Sequence, residues 1–545
     1  MPDNFMVKNK TDKPKVFCAI SFNVHDSSVS FAIDEKVVLV LEAERFFRVK
    51  KKVCSKKEME ELIKYGLSNL KIELEDVKYW TMTTLQNPHL TTDDIFESDS
   101  FISKEPYWKQ IEILGKNRDI FIVNHHLSHA ATYLLTEFEN AIIISCDGGG
   151  DYNPNLNHGE CFAAFQGNGI TVKRINQINV SNAINAKFYG ACSFFLYKQI
   201  YKEGKMMALA AYGISNQTYY DKLKSILPQL GTLVYTESVE LLKTLFPNIH
   251  GREVSELDPD ITAFAASAQN LFSDYRVKDI YQIASAMEGE SQNLVLAGGA
   301  CLNLDSNTEI LKSLPNMNHF IASCCDDTGQ SLGAICILIS EILKKRPSVK
   351  LPYLGTGENH FDYDIDSINS VINVLLNDGI VILHNGKSEV GPRALGNRSF
   401  IARPDKLKVK KYLSEEIKQR ENYRPVAPVV LQEKVDDYFI ENIASPFMLY
   451  KYAVKESVKV SIAGAIHCDG SARVQTVNRE TNEYLYELIT EFGNKTGIYM
   501  LLNTSLNFKG NPISNSINDT LEIYSKIQAP KCLVYNGRLL KVNEN

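Results

Sequence analysis

Three short β-rich runs stand close together near the start of the chain: Val16–Ser21, Val29–Ile33 and Val37–Glu42. Tight polar turns separate them, which reads as an antiparallel meander. A helical pattern follows over Lys56–Leu70, with Met59, Leu62, Ile63 and Leu67 on one face. Val77–Met82, Ile120–Val123 and Ala141–Cys146 then alternate with helical segments. This β-β-β-α-β-α order commits the first part of the chain to an α/β unit. Asn293–Ala297, ending in Gly298-Gly299, and His319–Ala322 are further buried-strand runs, and Gly329–Leu343 reads as a helix. They predict a second copy of the same unit.

That element order resembles the ribonuclease-H-like core of the actin and hexokinase class. From Lys344 to Asn359 the chain changes character, with Lys-Lys-Arg-Pro followed by Pro352, Gly355 and Gly357. A domain boundary is expected there, dividing the chain into 1–350 and 351–545. Beyond it Gly379–Leu383, Val426–Leu431, Ile498–Leu502 and Lys531–Tyr535 read as strands between helical runs, a separate α/β domain. The 545 residues are too many for one core, so at least two domains agree with length alone.

The net charge of -6 argues against a broad nucleic-acid-binding face but permits a local basic pocket. No apolar run approaches the ~20 residues of a membrane helix, so no membrane partner is expected. Met1 to Lys15 is polar and Lys-rich, unlike a signal peptide. The 11 cysteines are scattered, odd in number and without a CxxC pair. That disfavours a zinc ribbon or a disulfide framework and fits a reducing cytoplasm.

His125 and His129 lie four apart on an expected helix, Asn124–Leu135, so both imidazoles face one way. Asp147 follows the strand Ala141–Cys146, where α/β sites collect ligands, and Asp327 precedes a helix. Two imidazoles with one or two carboxylates suit a divalent metal, iron first, with manganese and zinc as alternatives. Helix packing alone is the competing reading of the histidine pair. His126 points elsewhere and is expected to be structural. Asp147-Gly148-Gly149-Gly150-Asp151 and Gly298-Gly299-Ala300 let backbone N–H groups approach a phosphate, or are ordinary tight turns.

In the second half Arg393 and Arg398 flank Ala394-Leu395-Gly396-Asn397; Lys418, Arg420, Arg424 and Arg473 follow. Guanidinium groups grip phosphate and carboxylate in bidentate fashion, so several in one pocket imply a doubly charged ligand. A solvated basic face is the alternative, but Gly391-Pro392 and Arg424-Pro425 interrupt it.

These motifs, with Ser21–Ser28 and Glu44-Arg45-Phe46-Phe47-Arg48-Val49-Lys50, resemble the nodulation-type O-carbamoyltransferases, which include antibiotic-carbamoylating enzymes. The resemblance covers nearly the whole chain. It implies an actin/hexokinase-like N-terminal domain, similar to the tRNA threonylcarbamoyladenosine transferase, and a YrdC-like C-terminal domain. The latter would form carbamoyladenylate from carbamoyl phosphate and ATP, with Mg accompanying the ATP. The former would pass the carbamoyl group to a hydroxyl of a small acceptor. Carried over by motif, His125, His129, Asp147 and Asp327 would hold the metal. Lys50 would lie at the transfer site. Arg393, Arg398, Lys418, Arg424, Arg473, Asn503 and Ser505 would bind carbamoyl phosphate and nucleotide, and Gly148, Gly149, Asp151, Gly298, Gly299 and Asn303 would bind nucleotide in the first half. His25 and Asp26 are candidates for contacting acceptor or nucleotide, His25 as a general base or a turn cap.

Phe47 and Lys51 depart from the Ser and His of the family pattern, which leaves the acceptor contacts open. Asp326 offers a second carboxylate beside Asp327, and Cys324-Cys325 has no assigned role. The acceptor pocket is expected near Ser181–Tyr201, and a homodimer is compatible with the sequence. A tRNA-modifying transferase, a non-catalytic nucleotide-binding protein and a sugar kinase are the competing readings. The first lacks a basic face; the last two leave Arg393, Lys418 and Arg473 without a purpose.

Overall fold

The first sheet opens with the meander: β1 (Val16–Ser21), β2 (Ser28–Ile33) and β3 (Lys36–Glu42) pair antiparallel in sequence order. The computed structural model describes residues 13–22, 25–84, 105–153, 158–175, 185–230, 233–287, 289, 291–358 and 361–543. Most of the Met1–Lys15 segment, Asn23-Val24 of the first motif and part of Ser181–Tyr201 lie outside the described residues. Helix α1 (Ala43–Phe47) turns the chain into α2 (Lys56–Leu70). The Ser55 hydroxyl accepts from the Glu58 amide at 3.3 Å, and the Glu58 carboxylate accepts from the Ser55 amide at 2.8 Å. This reciprocal pair satisfies two amide groups that the helix leaves open. Ser55→Ala is expected to cost about 1 kcal/mol, read as faster amide exchange over the first turn of α2.

The sheet is completed by β4 (Val77–Thr83), β5 (Tyr107–Ile113) and β6 (Lys116–Val123). Its order is β3-β2-β1-β4-β6-β5, with β1, β4 and β6 parallel. After α3 (His125–Ala130) a second sheet begins with β7 (Asn140–Cys146). The two-residue strands β8 (Tyr152–Asn153) and β9 (His158–Gly159) form a small ribbon of their own. β10 (Phe162–Asn168), β11 (Thr171–Arg174), β12 (Asn293–Ala297) and β13 (Asn318–Ile321) complete the second sheet as β11-β10-β7-β12-β13. β10 runs antiparallel to β7 and β11, while β7, β12 and β13 run parallel. The second sheet therefore repeats the first sheet's antiparallel meander followed by parallel strands, which is the duplication the sequence predicts.

Between β11 and β12 lies a helical layer: α4 (Asn185–Tyr197), α5 (Glu203–Ala210), α6 (Gln217–Leu230), α7 (Tyr235–Leu245) and the long α8 (Pro259–Ala286). α8 buries residues around most of its circumference, from Ile261 to Ala284, so it carries no single apolar stripe for sequence reading to find. α9 (Leu304–Ser313) and α10 (Gln330–Leu343) follow. α10 packs against β1, β2, β4 and α3 and is buried along most of its length.

The remaining chain builds α11 (Ile365–Leu376), β14 (Ile380–His384), β15 (Arg398–Ala402), α12 (Leu407–Lys411), β16 (Ala427–Leu431), α13 (Val435–Tyr438), β17 (Lys451–Ala453), β18 (Ser471–Arg473), β19 (Gln475–Val477), α14 (Glu483–Thr496), β20 (Met500–Ser505), α15 (Ile517–Lys526), β21 (Lys531–Tyr535) and β22 (Arg538–Asn543). Seven of these strands form one mixed sheet, β19-β16-β20-β15-β14-β21-β22, and β17 pairs with β18 apart from it. The two halves share a core: Ile144, Leu294 and Ile321 of the second sheet belong to the same buried cluster as Ile382, Phe400 and Met500. Asn307 Nδ2 donates to the Leu449 carbonyl at 2.9 Å, and Val40 N donates to the Leu354 carbonyl at 2.8 Å. Cys325 lies in that shared core, and Cys324 in the one under the first sheet. Both are core packing, the usual fate of a buried thiol. Among the described residues no helix is long and apolar enough to cross a membrane.

Candidate functional site

The Asn124 side chain caps α3, accepting from the His126 amide at 3.0 Å and the Leu127 amide at 3.3 Å. The helix then carries His125 and His129 one turn apart on the side facing the end of β7. Asp147 follows β7 directly, and Asp327 opens the single turn that leads into α10. One ligand atom from each of these four buried residues lies within 4.8 Å of the others. His129 Nε2 stands 3.3 Å from Asp147 Oδ2 and 3.2 Å from Asp327 Oδ1, and His125 Nε2 stands 3.7 Å from Asp327 Oδ1.

Backbone groups aim Asp147: Gly299 N donates to Oδ2 at 2.6 Å and Gly148 N to Oδ1 at 2.5 Å. Burial presses the His129 imidazole toward neutrality, but the two carboxylates outweigh it and lift its pKa to about 9. His125 is pushed down to about 3, chiefly by burial. His129 Nε2 is buried and makes no well-formed hydrogen bond, although it faces two carboxylate oxygens. A buried imidazole nitrogen aimed at a gap between carboxylates, with a second imidazole beside it, is a donor set suited to a divalent transition metal. His126 turns away, with Nδ1 2.7 Å from Ser145 Oγ and Nε2 2.8 Å from the Glu160 carbonyl, so it braces the fold. Asp327 rather than Asp326 joins the group; Asp326 accepts from the Thr328 hydroxyl at 2.5 Å.

A short chain of polar groups leads outward from this cluster. His25 Nε2 lies 3.5 Å from Asp327 Oδ2, and His25 Nδ1 lies 3.0 Å from Asp26 Oδ2. Asp26 also pairs with Lys51. The Tyr201 ring packs edge-on to His25 with centroids 5.0 Å apart, and Lys51 Nζ sits 5.4 Å from the Tyr201 ring centre.

Lys51 and Tyr201 also line a cavity of about 850 Å³ between the two halves. Its walls carry eleven lysines and arginines but three acids, Asp305, Glu421 and Asp469. Four of these cations come from the first half before α9: Lys50, Lys51, Lys202 and Lys205. The rest come from the second, among them Arg393, Lys418, Arg424 and Arg473. Burial, with neighbouring Arg393, Arg420 and Arg424, holds Arg473 well below its ordinary pKa. Burial and Arg424 push Arg420 down to about 9, and burial lowers Arg393 as well. Nε of Arg393 and Nε of Arg473 are buried without a hydrogen-bond partner. Lys418 Nζ donates to the Ser505 carbonyl at 2.5 Å, to Ser505 Oγ at 3.2 Å and to the Asn507 side chain, so the end of β20 orients it. Asn503 Nδ2 donates to Gln475 Oε1 at 2.7 Å, and Asn503 and Ser505 both line the cavity. Clustered cations with unsatisfied donors are costly to bury alone and are relieved by a polyanion.

The cavity thus gathers Lys50, Arg393, Lys418, Arg424, Arg473, Asn503 and Ser505 from the sequence-derived set. Others stand elsewhere, each for a physical reason. Arg398 is buried away from the cavity walls and donates to the carbonyls of Asn385, Gly386, Asn397 and Thr356. It staples loops rather than binding an anion. Asp151 accepts from the Asn124 side chain and from the His125 amide, anchoring the start of α3. Asn303 caps α9 through the Ser306 amide at 3.0 Å and donates to Gln269. Gly298 has φ +91°, and a Cβ there would sit 2.1 Å from the Cys146 carbonyl oxygen, so it serves close packing of the two strand ends. Gly148 and Gly149 have open space around them, and Gly299 lies against the Asp147 carboxylate. Gly298→Ala is expected to cost about 2 kcal/mol or more, lowering Tm by a few degrees and displacing Asp147. Lys202, Lys451 and Lys509 of the cavity come from scattered places, with no local pattern to reveal them.

A metal-type cluster beside a cationic cavity, on an α/β frame, is suited to binding an anionic ligand. Residues 107–336 match the family described as Carbamoyltransferase N-terminus, and residues 372–541 match Carbamoyltransferase C-terminus. The chain belongs to the carbamoyltransferase family of nodulation and antibiotic type and is a transferase. It is 28% identical over 553 residues to the nodulation protein NolNO of Sinorhizobium fredii, covering 95% of this chain and 78% of that protein. It is 31% identical over 340 residues to the 3'-hydroxymethylcephem-O-carbamoyltransferase of Amycolatopsis lactamdurans, covering 58% of this chain and 60% of that one. Among solved structures, full-length HypF in its phosphate- and nucleotide-bound form aligns over 62% of this chain and 57% of its own, with TM-score 0.35 and 12% identity.

Proposed function

We propose that this transferase is an ATP-dependent O-carbamoyltransferase that activates its carbamoyl group as carbamoyladenylate in the cationic cavity. The observation that carries this reading is the set of half-buried guanidiniums on the cavity wall, Arg393 and Arg473 above all, each with a buried Nε that has no hydrogen-bond partner, beside Lys418. Such a set is suited to the phosphate groups of carbamoyl phosphate and ATP together, with Mg on the nucleotide. Water first cleaves carbamoyl phosphate to carbamate and phosphate. A carbamate oxygen then attacks the α-phosphorus of ATP, and pyrophosphate leaves. Arg393, Lys418, Arg424 and Arg473 take up charge on the phosphoryl oxygens as it develops, which lowers the barrier because the donors are already in place. Ser505 and Asn503 orient the same groups. Finally an acceptor hydroxyl attacks the carbamoyl carbon, and AMP leaves.

We assign the first two steps to a YrdC-like unit over 351–545 and the transfer to the actin/hexokinase-like unit over 1–350. Lys50, at the cavity wall, stabilises the departing phosphate of AMP. His25, held between Asp26 and Asp327, contacts the acceptor or the nucleotide at the mouth of the transfer site. A divalent ion held by His125, His129, Asp147 and Asp327, iron in the first instance, would polarise oxygens at the transfer site. The position of the cavity between the two halves shortens the path of the labile adenylate through water. The acceptor is a small hydroxylated molecule. Isotope-labelled carbamoyl phosphate should give a labelled carbamoyl ester of such an acceptor only when ATP is present. Transfer that proceeds equally well without ATP would sink the proposal.

A further inference from the structure

Arg393 reaches the cavity from a loop that the first half of the chain holds at one residue, Gly391. Glu42 ends β3 and Arg45 lies one turn on in α1; Arg45 Nε stands 2.9 Å from Glu42 Oε2. This pair grips both polar groups of Gly391. Gly391 N donates to Glu42 Oε1 at 2.6 Å, and Arg45 Nη2 donates to the Gly391 carbonyl at 2.6 Å. Both side chains are buried, at 7% and 3% exposure, so water does not compete for these bonds. Gly391 has φ +111°, and a Cβ there would lie 2.2 Å from the Ser323 carbonyl oxygen. One face of its backbone therefore rests on the segment that leads to Asp327.

The rest of the loop is wound on a second carboxylate. Glu389 Oε1 accepts from the amides of Leu395, Asn397 and Arg398 at 2.8, 2.7 and 3.1 Å. The loop is thus rigid within itself, and the Glu42–Arg45 pair sets its position relative to the first half. The next turn of the same strip reaches across as well: Arg48 Nη1 donates to the Ile513 carbonyl at 2.6 Å.

We propose that Glu42 and Arg45 are positioning residues that place Arg393 in the anion site and hold it in register with the Ser323–Asp327 segment. They touch no substrate; they act through Gly391. This inference rests on the function proposed above, so its test has two independent readouts. In the full-length protein, Arg45→Met should raise amide exchange over 390–397 at least tenfold while β14 and β21 keep their protection. The same variant should raise KM for carbamoyl phosphate about tenfold in ATP-dependent pyrophosphate release, with a smaller fall in kcat. Glu42→Gln retains an oxygen for the Gly391 amide and should recover most of the lost affinity, whereas Glu42→Leu should not. Unchanged exchange over 390–397 in folded Arg45→Met, or identical KM in Glu42→Gln and Glu42→Leu, overturns the proposal. Absence of carbamoyl-phosphate-dependent release in the unaltered protein overturns the proposed function instead, and the exchange result then decides the clamp by itself.

Discussion

Arg473→Ala should lower carbamoyl-phosphate-dependent pyrophosphate release by about 10²–10³-fold, the loss of roughly 3–4 kcal/mol that removal of one preorganised donor produces. The size follows from placement. Arg473 is half-buried on the cavity wall with like-charged Arg393, Arg420 and Arg424 around it, and its buried Nε finds no hydrogen-bond partner in the protein. Its charge is therefore tolerated at a cost that a bound anion repays, and the guanidinium needs little reorganisation when charge develops on a phosphoryl oxygen. Arg473→Lys keeps the charge but loses the two-pronged geometry, so it should recover part of the rate and little of the KM. The Arg473→Ala protein should be at least as stable as the unaltered one, since a repelling cation has gone. A variant that unfolds, or one with undiminished release, would count against the cavity as the adenylating site.

The second large effect is expected at His129. His129→Ala should reduce carbamoyl transfer to the acceptor by at least about 10²-fold, since it removes one of four ligands and leaves two carboxylates facing each other without a cation between them. Pyrophosphate release should stay within a few-fold of normal, because none of the four cluster residues lines the cavity. Bound divalent metal per chain should fall in parallel, a readout that does not depend on activity. Loss of both half-reactions together, with metal retained, would mean that the two sites do not divide the reaction as proposed.

Much of the frame was legible along the chain for reasons that can be named. α2 announced itself by one apolar face, and its bounds match the sequence reading. β21 is bounded by Pro530 and a turn at Asn536-Gly537, and it too matches. The helix read over Asn124–Leu135 is α only to Ala130 and continues as a tighter 3₁₀ turn to Leu135. Spacing alone brought His125 and His129 together, because four residues make about one helical turn. The second histidine of the run, His126, separates for the same reason.

What stayed hidden depends on tertiary contacts. α8 is covered on most sides, so its periodicity is blurred. The hairpin of β5 and β6 escaped because Lys109, Glu112 and the charged start of β6 mask its alternation. Arg398 and Arg393 look equivalent in one motif, yet one lies along the cavity wall and the other is consumed by four carbonyls. Lys202 and Lys205, at the start of α5, are separated by nearly two hundred residues or more from Arg393, Lys418 and Arg473. Only folding brings them to one place. The choice of Asp327 over Asp326 came from the family resemblance, where the carboxylate precedes Thr-Gly, and Asp327 is the one that joins the cluster.

The central claim is that the cationic cavity activates a carbamoyl group at the expense of ATP. Its most direct test is pyrophosphate release from ATP by the purified full-length protein, with Mg and a divalent transition metal supplied and no acceptor present. The account predicts release that depends on carbamoyl phosphate and saturates with it. Tight ATP binding with no release at any carbamoyl phosphate concentration, while labelled carbamoyl groups still reach an acceptor, would contradict it.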